Sequence, residues 1–100
     1  MITAQHEGQC LRVAVQTELT IYQVAELHTA ASPWLAQPCD WQLDMSEVAE
    51  MDGAGLQWLL YVQHCLHDAG HSLVLHAASE DVEHVLQLCP DTFATTPSAS

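Results

Sequence analysis

Along this chain of 100 residues the spacing of apolar positions switches repeatedly between two and three-to-four. That switching restricts the folds open to it more than any other feature. Leu11, Val13 and Val15 alternate with Cys10, Arg12, Ala14 and Gln16, which predicts a strand over 10–16 with one face on a core. Ile2 to Glu7 can pair with it as a hairpin through Glu7-Gly8-Gln9. From Thr20 the period lengthens. Ile21, Val24, Leu27 or His28, Ala31 and Leu35 predict an amphipathic helix capped by Thr20, with a break near Ala31 where Pro33 removes a donor and Ser32 starts a new turn. Trp41, Leu43 and Met45 return to a period of two after a Gln37-Pro38-Cys39 loop. Asp52 then caps a long helix over Gly55 to Ala69 that Gly70 ends. Ser72 to Ala77 reads as an apolar strand, and Ser79 opens a last helix through Val82, Val85, Leu86 and Cys89, stopped by Cys89-Pro90. The order β-β-α-β-α-β-α implies an α/β fold, a mixed β-sheet with helices packed on it whose later strands are parallel. One domain over 1–93 accounts for the length, and the polar tail 94–100 is expected to be disordered.

Charge narrows the partners. One Lys+Arg against 13 Asp+Glu gives a net charge of -12, with Arg12 the single permanent cation, so neither nucleic acid nor an anionic membrane surface is an expected partner. Hydrophobic residues at 49% against 14% charged ones are the composition of a folding chain. No basic run precedes an apolar segment at the start, and no stretch approaches the roughly 18 apolar residues that span a bilayer, from which a cytoplasmic protein is expected. Cys10, Cys39, Cys65 and Cys89 form no Cys-x-x-Cys pair and read as free thiols.

The run Leu43-Asp44-Met45-Ser46, followed by Asp52-Gly53-Ala54-Gly55-Leu56, resembles the STAS domain, the fold of anti-sigma-factor antagonists. In that family an apolar strand ends in Asp-Leu-Ser, and Asp-Ser-Ser-Gly-Leu or Asp-Thr-Ala-Gly-Leu opens a helix after a short loop. Glu18-Leu19-Thr20-Ile21-Tyr22 is similar to the Gly-Glu-Leu-Asp opening of the family's first helix, with Thr17 where glycine is usual. The resemblance covers nearly the whole chain. It implies a STAS-like mixed sheet and a regulatory module that docks on a protein partner: a kinase-like anti-sigma factor with an ATPase fold, or a chemotaxis-type signalling complex. The alternative it implies is the cytoplasmic STAS subunit that steadies the ATPase of a lipid-trafficking ABC transporter. A small-ligand sensor is a third reading. In phospho-switched relatives the hydroxyl just before the glycine takes a phosphate at the helix start; that position here is Ala54, its neighbour is Gly53, and neither can carry one.

The partner-binding residues expected from this resemblance and from the pattern of the helix are Glu50, Asp52, Gly53, Ala54, Gly55, Gln57, Trp58, Tyr61 and Val62. On that helix Leu56, Leu59, Leu60, Gln63 and Leu66 form one stripe and Trp58, Val62, Cys65 and Ala69 a second. The second either packs on a neighbouring helix or faces a partner, and Trp58 beside Tyr61 favours the partner. Glu47, Glu50 and Asp52 read as caps and solvated charge rather than catalytic acid and base. No nucleophile with a base in recognisable context appears, so no enzyme and no cofactor are expected. His64, His67 and His71 with Asp68 share helical spacing, but Gly70 ends the helix before His71, and no metal site is expected from them.

Overall fold

Residues 2–88 and 92–95 are described in the computed structural model. Strands β1 (Ile2–Glu7), β2 (Cys10–Val15), β3 (Asp40–Met45), β4 (Leu73–Ala78) and β5 (Ala94–Thr95) form one sheet in the order of the chain. The first pair is antiparallel, joined at Glu7 and Cys10 by a two-residue turn in which Gly8 takes φ 62°. The remaining pairs are parallel. Between them run α1 (Ile21–Ala36), α2 (Gly53–Asp68) and α3 (Glu80–Leu86), so the expected β-β-α-β-α-β-α order stands, with a short fifth strand added.

Alternation decides which face is covered. Leu11, Val13 and Val15, then Trp41, Leu43 and Met45, then Leu73 and Leu75 all point to the side that the helices cover, and each is buried. The opposite face carries Gln5, Arg12, Gln42, Asp44 and His76 around a depression of about 380 Å³ lined by strand residues alone. Arg12 Nη1 lies there, 3.2 Å from Glu7 Oε1. Between Leu43 and Asp44 the β3–β4 register slips, leaving His76 as an extra residue on β4 beside Asp44. Burial alone would raise the Asp44 carboxyl. The Ser46 amide and hydroxyl, with His76 and Arg12 nearby, outweigh it and hold the group below its usual range.

Three expectations need correction. Helix α1 does not break at Ala31 but continues to Ala36 with Pro33 inside it. The Ser32 hydroxyl donates back to the His28 carbonyl at 2.8 Å instead of capping a new turn, and the Trp34 ring meets Trp41 edge to face at 6.4 Å, anchoring the final turns on the core. Thr20 precedes α1 without capping it: its hydroxyl is buried and makes no hydrogen bond. The tail expected from Ala94 contains β5, in which Ala94 and Thr95 pair with Val74 and Leu75. Residues 96–100 lie outside the described residues, as do Cys89 and Pro90, expected to close the last helix, which ends at Leu86. The Ser79 cap is present, its hydroxyl accepting from Val82 N–H while donating to the Val48 carbonyl at 2.6 Å.

Candidate functional site: the pole where two helices begin

The segment before α1 lies beside the segment before α2. Leu19 bridges Met51 in parallel, its N–H donating to the Glu50 carbonyl at 2.8 Å and its carbonyl accepting from Asp52 N–H at 3.2 Å. This brings the starts of both helices to one pole of the molecule. Gly55 permits the approach, because a Cβ there would overlap the Leu19 carbonyl oxygen and crowd its side chain.

Asp52 stands between the two helix starts. Its Oδ1 accepts from Ala54 N–H at 2.9 Å and Gly55 N–H at 3.1 Å, capping α2, and its Oδ2 accepts from Ile21 N–H at 3.1 Å, satisfying the first amide of α1. The expected α2 cap is therefore also a staple across 31 residues of sequence. The Ile21 amide first, then those of Gly55 and Ala54, hold the Asp52 carboxyl below its usual range. An anion favoured by two helix N-termini is thus already present as part of the chain.

From this pole a groove of about 510 Å³ runs between the helices, walled by Ile21, Val24, Ala25 and His28 of α1 and by Ala54, Trp58 and Tyr61 of α2. The His28 and Tyr61 rings meet edge to face across it, 5.3 Å apart. The Tyr61 hydroxyl donates a hydrogen bond to the Cys65 side chain, which favours the neutral phenol and holds it above its usual range. Tyr61 and Ile21 are exposed, and so is Tyr22 next to Ile21.

Of the residues expected to bind a partner, Ala54, Trp58 and Tyr61 line this groove, and Glu50 and Gly53 are exposed at the pole beside Asp52. Gln57 is exposed on α2 outside the groove lining. Gly55 is buried under Leu19. Trp58 and Val62 do not form an exposed stripe: Trp58 is 4% and Val62 0% exposed. With Gly55, Leu59 and Leu66 they make the core side of α2, while Leu56, Leu60 and Gln63 are only half-buried. α1 packs against α2, and Trp58 sits with Ile21, Val24, Ala25 and His28 of α1 in the groove lining, whereas Ala69 at the end of the second stripe is exposed. The wall from α1 was missed because Ile21, Val24 and His28 fall on a helical stripe that reads as core. The signal available was Tyr22, an aromatic one step off that stripe.

The histidines are spread out. His64 Nε2 lies 3.8 Å from Asp68 on α2, and His71 Nδ1 lies 3.3 Å from Asp40. Among the described residues no three His, Cys, Asp or Glu side chains gather as a metal site would require, and no helix is long and apolar enough to cross a membrane. Cys10, Cys39 and Cys65 are free thiols.

Two solved structures share this architecture. A Thermotoga maritima protein described as a candidate anti-sigma factor antagonist superposes with a TM-score of 0.86 at 17% identity, covering 98% of this chain and 87% of that one. The anti-sigma factor antagonist SpoIIAA in its unphosphorylated form gives a TM-score of 0.75 at 14% identity, over 98% of this chain and 89% of that one. No curated protein matches the sequence. The family described as "Mlab, STAS domain" matches residues 2–89, nearly the whole length, and the chain therefore belongs to the STAS-domain family.

Proposed function

We propose that the chain is a non-catalytic STAS regulatory module that docks on a signalling protein, a kinase-like anti-sigma factor or a chemotaxis-type complex, through the pole where α1 and α2 begin. The observation that carries this reading is the coincidence of apolar exposure and negative charge there. Ile21, Tyr22 and Tyr61 are exposed around the groove, and Glu18, Glu50 and Asp52 lie in the paired segments that precede the two helices. Exposed aromatics concentrate binding energy, and surrounding carboxylates speed the approach of a basic partner. The module acts without a phosphate at the usual position, since Ala54 has no hydroxyl. Intact mass after incubation with the cognate kinase and ATP should show no phosphate between Asp44 and Leu56.

A second reading, a STAS subunit on the ATPase of a lipid-trafficking ABC transporter, keeps its place because the matching family carries the Mlab description. One experiment tests the site and separates the partners. A photo-crosslinking residue is placed at Ala54, Gln57 or Tyr61, and for comparison at Gln5 or Gln42, in the native host. Cross-links from the first set to a histidine-kinase-like ATPase support the signalling reading. The same cross-links to a transporter's nucleotide-binding subunit support the second. Cross-links only from Gln5 and Gln42 would overturn docking at this pole.

A further inference from the structure

We infer that the α1–α2 groove seats a cationic amphipathic helix of the partner protein. The inference rests on the protein-docking reading above and goes beyond it by naming what enters the groove. On α1 the wall residues Ile21, Val24, Ala25 and His28 stand at i, i+3, i+4 and i+7, and on α2 Ala54, Trp58 and Tyr61 stand at i, i+4 and i+7. Each wall therefore spans eight residues, whose seven helical rises cover about 10 Å. This matches the stretch over which a helix presents its own apolar side chains at i, i+3 or i+4, and i+7.

Exposure supports an occupant. Among the described residues the exposed large hydrophobics are Ile21 at 65%, Tyr22 at 87%, Tyr61 at 49% and Leu88 at 78%. Two of these four line the groove and a third adjoins it. A surface that gathers its exposed apolar side chains in this way marks a site of association.

Charge selects the kind of helix. The chain has 13 carboxylate residues and one Lys or Arg, and that one, Arg12, is paired with Glu7 on the open sheet face. No Lys or Arg of this chain is therefore available to pair with acidic residues on an incoming segment at the groove. Exposed Glu18 and Glu50 sit at the end where both helices begin, where the Asp52 charge is already met by the helix amides, and exposed Glu26 follows Ala25 on α1. A helix with apolar residues on one face and Lys or Arg on its flanks meets complementary charge, whereas an acidic helix meets repulsion.

The test uses a designed probe and the whole chain. The probe is a Leu/Lys peptide about 18 residues long, enough for an isolated helix to form, with Leu at i, i+3, i+4 and i+7. Its controls are a scrambled peptide of the same composition and a Leu/Glu counterpart. The expected result is that the patterned cationic peptide binds at least about tenfold more tightly than the scrambled one, that the Leu/Glu peptide does not bind, and that affinity falls with added salt. Ala25→Arg, which fills the groove, should weaken binding about tenfold, whereas Gln42→Arg on the open face, with the same charge change, should change it by less than about twofold. Ile21→Ser, at an exposed position, replaces Ala25→Arg if that variant fails to fold. Equal binding of patterned and scrambled peptides, or equal effects of the groove and open-face variants, would overturn the inference. Were this to happen while cross-links still came from Ala54, Gln57 and Tyr61, protein docking at the pole would stand and only the helical occupant would fall.

Discussion

A side chain at Gly55 would have to displace the backbone of Leu19, the residue that pairs the two helix starts. Overpacking against main chain cannot be relieved by a rotamer change, so Gly55→Ala should lower stability by about 1–3 kcal/mol despite alanine's better helix propensity. Gly53→Ala, where a Cβ meets nothing within 4 Å, should be nearly neutral in the same denaturant titration. Equal midpoints for the two variants would remove the close approach from the explanation. Trp58 poses the complementary question. Buried against α1, it should cost about 3–5 kcal/mol on truncation to alanine, the range for a core tryptophan, and a loss below about 1 kcal/mol would return it to the surface. Sequence pattern could not settle its side, because α2 carries apolar residues around most of its circumference and periodicity ranks faces without saying which neighbour covers each. The α2 cap was legible for a different reason, since Asp52 acts there on amides two and three residues away, whereas Gly55, expected at the partner surface, acts on the distant Leu19.

At the scale of the elements, Asp52 couples α1 to α2 more directly than side-chain packing does, with one carboxylate oxygen on each helix start. Its carboxyl titrates below its ordinary value of 3.8, since the amides of Ile21, Gly55 and Ala54 favour the charged form. As pH falls the unfolded chain therefore takes up the proton first. The staple's contribution is whole above about pH 3.8 and is lost as the pH drops through the lower folded-state value. Asp52→Asn should lower the thermal midpoint at neutral pH, and its midpoint should fall less than the wild type's between about pH 5 and pH 3. Parallel curves for the two proteins would show that the carboxylate carries no charge-dependent load. The α2 half of this staple could be read from the sequence, as an Asp before a helix. The α1 half could not, because its acceptor comes from 31 residues away and Thr20 offered a local alternative that the fold leaves unused. Pro33 misled for a related reason, since a missing donor argues for a break only until the Trp34–Trp41 contact is known.

The whole molecule is one-sided. Helices cover one face of the sheet, the other is polar and open, and the two helix starts gather carboxylates and exposed apolar groups at one pole. The element order and the buried side of β2 and β3 followed from periodicity, because Leu11, Val13 and Val15, and Trp41, Leu43 and Met45, alternate with more polar neighbours. The groove was not legible, since it depends on how far apart α1 and α2 stand, which no local pattern encodes. Docking at the pole, rather than on the open face, is the central claim. Its most direct measurement is the affinity of the cross-linked partner for two folded double variants, Ile21→Ser with Tyr61→Ser at the groove and Thr3→Ala with Gln42→Ala on the open sheet face. The expected result is at least about a tenfold loss for the groove pair and no more than about a twofold change for the sheet pair. A loss confined to the sheet pair would contradict the claim and move the interface to the face the helices leave open.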